Sequence, residues 1–113
     1  MLNYSNPRTE VHIDDWPYGN ERVDCKFYIE KGKGKERAVR ETMNPKTGRM
    51  NKPKKLTYAR KVLFVDGSDG RTYIMQAVGF GYSVMQGNMK YGQETISTDD
   101  CRYENIAKMF EEA

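Results

Sequence analysis

One histidine, two cysteines and four prolines are all that 113 residues contain of these types, and each scarcity closes off a class of chemistry. Any Cys–His or Ser–His–Asp arrangement would have to pass through the one imidazole, His12. Its neighbours Asp14 and Asp15 suggest a metal or carboxylate pair, but His12-Ile13-Asp14-Asp15-Trp16 has no recognised ligand spacing and reads as a solvated acidic patch. Cys25 and Cys101 stand far apart with no CxxC and no histidine cluster, so reduced structural thiols are expected. No apolar run approaches the ~18 residues that span a bilayer. The opening MLNYSNPRTEVHIDDWPYG lacks the apolar core of a secretory leader, which makes the expected compartment the cytoplasm, with no membrane partner.

Phosphate and metal motifs are equally thin. Gly32-Lys33-Gly34-Lys35 is followed by Glu36 where a phosphate loop needs a hydroxyl. Asp66-Gly67-Ser68-Asp69-Gly70 places Ser68 and Gly70 where a calcium loop needs further oxygen ligands, so it reads as a hairpin turn. No GxGxxG is present. The sequence thus points to no catalytic residue, no metal and no cofactor, and a non-enzymatic role is the expectation.

What the chain does have is aromatic content and period-2 patterning. Val23, Cys25, Phe27 and Ile29 alternate with Asp24, Lys26, Tyr28 and Glu30, the signature of a strand with one wet face. Residues 31–35 form a glycine turn into a second strand, Glu36 to Met43, whose charges suit a sheet edge on which a homodimer is imaginable. Asn44 to Lys55 is a long exposed loop, and Leu56 to Asp66 resumes strand character with Val62-Leu63-Phe64-Val65 buried on both faces. Arg71 to Val78 returns across the Asp-Gly turn. Gly79-Phe80-Gly81 marks a corner, with short strands near Tyr82 to Gln86 and Gln93 to Ile96 and a turn at Gly87-Asn88. Tyr103, Ile106, Ala107 and Phe110 recur at helical spacing behind a cap at Ser97 or Thr98.

The fold class is therefore α+β, mostly β: a five- or six-stranded antiparallel sheet or small barrel, OB-like or SH3-like in architecture, with one C-terminal helix. It forms one domain, 1–113, with an irregular N-terminal arm over 1–22, in which Val11, Ile13 and Trp16 form at most a short strand or strap. The sheet spans 23–97 with a basic loop at 44–55, and the helix covers 98–112.

Charge is the remaining signal. Thirteen of the nineteen basic residues fall between Lys26 and Lys61 against three acidic ones, while both flanks are net acidic. Such polarisation speaks to partners and association rates. Lys33 and Lys35 lie at one turn, Lys46, Arg49, Lys52, Lys54 and Lys55 in the long loop, and Arg60 on the strand beyond, with Tyr28 and Tyr58 interleaved. Bases flanking an aromatic on a sheet are how small β-domains hold nucleic acid, phosphates on the cations and bases on the rings. The expected partner is a polyanion, foremost nucleic acid. The alternative is a larger protein with an acidic groove, engaged by an inhibitor or accessory protein of phage or mobile-element type, with Trp16, Phe80, Tyr82 or Tyr91 supplying apolar contacts.

Overall fold

A computed structural model describes residues 1–79, 81–86 and 93–113. Their strands are β1 (Tyr4–Arg8), β2 (Glu10–Tyr18), β3 (Glu21–Gly32), β4 (Lys35–Thr42), β5 (Lys54–Lys55), β6 (Lys61–Gly67), β7 (Thr72–Val78), β8 (Gly81–Gln86) and β9 (Glu94–Ile96), followed by the helix α1 (Tyr103–Glu112). Two antiparallel sheets result, one ordered β1-β6-β7-β8-β9 and the other β2-β3-β4-β5. We call them the central sheet and the outer sheet.

Alternation explains the layers. Leu63, Val65, Tyr73 and Met75 face α1, where Ile106, Met109 and Phe110 cover them. The interleaved Val62, Phe64 and Ile74 face the outer sheet and meet Val11, Cys25, Phe27 and Ala38. The central sheet is thus buried on both sides, which is why 62–65 shows no polar alternation. Phe27 packs on Phe64 at 5.7 Å between ring centroids, and Trp16 meets Phe27 edge-on at 5.4 Å.

The antiparallel, mostly β character with one terminal helix is as the sequence indicates, but the strands divide between two packed sheets, and no barrel closes among the described residues. The expected irregular arm is the main difference. Residues 4–8 pair with β6 and residues 10–18 with β3. Pro7, Pro17 and Asp14-Asp15 hide these strands in the sequence. They are accommodated because β1 and β2 are both edge strands, each with a break in register, and Asn6 takes a positive φ of 56°.

The strand expected at a sheet edge, β4, is also covered. β5 pairs with Val39 and Arg40, the Leu56 amide donates to the Ala38 carbonyl, and Glu36 exchanges backbone bonds with Ala59. Residues 36–40 therefore offer no free ladder for a dimer. Residues 56–60 cross between the sheets instead of beginning a strand, and β6 starts at Lys61.

The Asp66–Gly70 hairpin holds, with Asp66 paired to Thr72 and Gly70 at φ 82°. So does the turn at Lys33-Gly34, where Gly34 has φ 68°. The helix begins five residues later than the capping signal suggests. Ser97 donates to Asp99, and the Asp100 carboxylate accepts the Arg102 amide, so local side-chain bonds hold 97–102 in turns. At the far end the Lys61 ammonium donates to the Phe110 carbonyl at 3.0 Å, supplying the cation that the last turn itself lacks. The turn expected at Gly87-Asn88, together with Phe80 and Tyr91, lies outside the described residues.

Candidate nucleic-acid interface

The outer sheet's solvent face is built from rows fixed by register. One row runs Glu10, Tyr28, Val39, Lys55, with Val39 itself fully covered; the next runs His12, Lys26, Glu41. These rows neutralise much of their own charge. Lys26 lies 3.1 Å from Glu10, whose carboxyl is held below its usual range by bonds to His12 and Lys26. Lys55 lies 3.3 Å from Glu30. Tyr28 donates its hydroxyl to Glu41 at 3.0 Å and has the Lys26 ammonium 5.7 Å from its ring centre; burial and the Glu41 bond both raise its phenol pKa. Tyr28 is therefore on the expected face but engaged by its neighbours, and His12 contacts Glu10 at 3.0 Å. Among the described residues no three His, Cys, Asp or Glu side chains gather as a metal site would require.

Further cations lie along the β4–β5 side and at its two ends. At one end the Lys33-Gly34 turn presents Lys33 and Lys35, and Arg37 follows two residues along the strand. Tyr58, 58% exposed, lies against both: the Lys35 ammonium and the Arg37 guanidinium are each 4.6 Å from its ring centre. Each contact contributes ~0.5–1 kcal/mol at an exposed site. Lys54 and Lys55 occupy the middle of this side.

At the other end the basic loop is shorter and more closed than a dozen free residues would be. Met43 bridges to Met50, the Gly48 amide donates to the Asn44 carbonyl, and the Asn44 amide donates to that of Arg49. The Asn44 side chain accepts the Lys46 amide at 2.9 Å. These bonds fix a tight tip from which Lys46, Arg49 and Lys52 project, and none of the three makes an ion pair among the described residues. Asn51 returns the chain, donating through Nδ2 to Thr42 at 3.3 Å and to the Tyr18 hydroxyl at 3.4 Å.

Arg60 does not join this set. Although only two residues from Tyr58, it lines a groove with Val78, Tyr82, Ser97 and Tyr103, on the central-sheet side, and its charge acts on the Tyr82 phenol. Tyr82 itself stacks on Phe110 at 5.0 Å, and Trp16 lies half-buried against Phe27, so neither is an open contact ring. Conversely Tyr18, 38% exposed beside Lys46, was hidden in the stretch read as irregular. No protein-family model matches this chain, and no curated protein or solved structure shows significant similarity to it.

Proposed function

We propose that this protein is a non-enzymatic module that binds a polyanion, foremost nucleic acid, along the β4–β5 side of its outer sheet. The observation that carries this reading is the exposed Tyr58 ring held against Lys35 and Arg37, at the start of the strand that leads to the loop cations Lys46, Arg49 and Lys52. Acidic side chains answer Lys26 and Lys55, whereas Lys46, Arg49 and Lys52 make no ion pair among the described residues, so the loop end carries excess positive charge. Phosphates would meet the cations, with a salt dependence set by how many are engaged.

The test is a charge reversal, Lys52→Glu with Lys54→Glu and Lys55→Glu, followed by oligonucleotide binding across ~50 to ~200 mM salt. With four to five phosphate contacts, wild-type affinity for a single strand is expected to fall roughly 50- to 130-fold over that range, and the triple variant is expected to lose binding with little change in unfolding midpoint. Retained binding by the variant would refute the placement. A second reading, docking on an acidic groove of a larger protein, is favoured by Met50, which stands 45% exposed among the loop cations. It takes over if the wild type binds no oligonucleotide at low salt.

A further inference from the structure

Arg60 is exposed and makes no ion pair among the described residues, yet it stands at the wall of the groove on the central-sheet side. This groove lies between the β7–β8 corner, the residues that follow β9 and the first turn of α1. No carboxylate lines it, so Arg60 is its one charged wall. Its volume of about 500 Å³ falls within the ~300–1,000 Å³ of small-molecule sites.

Two tyrosines make the apolar wall. Tyr82 stacks on Phe110 at 5.0 Å and is met by Tyr103 at 5.3 Å with 49° between the planes, so these contacts fix its ring and spend most of its surface. Tyr103 is half-buried and borders both this groove and the outer surface of α1 beside Lys108, which leaves one flank of its ring to the groove. Gly79 and Gly81 contribute backbone without side chains, and Thr98 contributes a hydroxyl; that of Ser97 is already given to Asp99.

We propose that this groove is a ligand site separate from the basic side, taking a small flat organic anion whose carboxylate or phosphate meets the Arg60 guanidinium and whose ring lies along Tyr103. A guanidinium holds its N–H donors in a planar fork that matches two oxygens of either group. One cation with no carboxylate beside it suits a ligand with one anionic group, and the tyrosine wall favours a flat body over a bare ion. Glu111 acts on the Tyr82 phenol against Arg60, which places the anionic group at the Arg60 end of the groove. None of these residues belongs to the polyanion reading above.

The deciding experiment titrates isotope-labelled protein to ~10 mM with uridine monophosphate, benzoate, their neutral counterparts uridine and benzamide, and inorganic phosphate, following backbone amide shifts by NMR. At least one of the two aromatic anions should give saturable shifts at Gly79, Gly81, Tyr82, Ser97 and Thr98. It should bind ~10-fold or more tightly than its neutral counterpart and than inorganic phosphate. Arg60→Gln should weaken it ~10-fold or more, and Tyr103→Leu ~5-fold or more. Tighter uridine monophosphate identifies a phosphate ligand and tighter benzoate a carboxylate one; both support the site.

No saturable shift at these amides, unchanged binding by either variant, or inorganic phosphate binding as tightly as the aromatic anions would overturn the proposal. Arg60→Gln should bind oligonucleotide as wild type does, and the triple charge-reversed variant should still take the groove ligand, so failure of one site is read apart from failure of the other. Loss of both kinds of binding in either of these variants, with the fold intact, would show one merged site and also overturn it. An unfolding midpoint measured beside each variant separates loss of ligand from loss of fold.

Discussion

The Arg102 guanidinium donates to the carbonyl oxygen of Leu2 across 2.8 Å, tying the first residues to the head of α1. The same side chain, only 8% exposed, holds Asp100 with two bonds of 2.9 and 3.0 Å and reaches Glu94 on β9. Glu94 in turn accepts the Tyr4 hydroxyl at 3.2 Å. One arginine thus fastens β1, β9 and the turn before α1.

Arg102→Ala is expected to destabilise the fold by about 1–3 kcal/mol, since the several charge-assisted bonds made by this buried guanidinium are lost. The midpoint of urea unfolding reads this directly. An unchanged midpoint would mean that the clasp is replaced by water at no cost.

Two arginine-bound carboxylates, one in this cluster and one on β6, set an acid limit. Bonds from Arg102 pull the Asp100 pKa down to about 2, and those from Arg8 and Asn6 lower that of Asp66. A carboxyl depressed by folding contributes stability that is present above its ordinary value near 4 and is lost as pH falls towards 2. Unfolding midpoints measured from pH 6 to pH 2 should fall mainly in that final window. Asp100→Asn, which removes one of these groups, should show a shallower acid slope.

Phe64→Ala should cost about 3–5 kcal/mol, because the ring is fully buried between the sheets and packs on Phe27. Both sheets lose a contact, so the melting temperature should fall without a split transition. A loss below about 1 kcal/mol would show that the interface between the sheets closes around the gap.

Gly81→Ala should also be costly, by at least about 1–3 kcal/mol. Gly81 has φ 151°, and a methyl group there would collide with the backbone oxygen of Ile96 on β9. Backbone cannot swing aside as a side chain can. Thermal unfolding of the variant measures the effect, and a wild-type melting temperature would contradict this corner geometry.

The thiols should separate by accessibility. Burial pushes the Cys25 pKa up to about 11, whereas Cys101 is exposed. Native protein at pH 7–8 should therefore react with one equivalent of a thiol reagent, and denatured protein with two. Two fast equivalents in the native state would show that the outer sheet opens readily.

Periodicity made the middle of the chain legible. The alternation of 23–29, the unbroken apolar run at 62–65 and the helical spacing of Tyr103, Ile106 and Phe110 each survive because burial dictates residue type there. The first 22 residues were opaque for the complementary reason: edge strands tolerate proline, paired acids and bulges, so their pattern is broken where their partners are intact. For the candidate interface, charge density was visible but its arrangement was not. Which lysines are answered by Glu10 and Glu30, and that Arg60 turns to the other sheet while Arg37 joins Tyr58, depend on register that a linear pattern does not carry.

The β1–β6 ladder joins Arg8 to Phe64, so the whole outer sheet hangs as one excursion between two neighbouring strands. Closing a flexible loop of about 55 residues costs about 3.5 kcal/mol of chain entropy, whereas the hairpins β2–β3, β3–β4 and β6–β7 close locally. Loop entropy therefore predicts that the strand made first is seated last, once the excursion has folded and shortened the gap. Mutations in β1 should accordingly speed unfolding and leave the folding rate almost unchanged, with φ-values near zero.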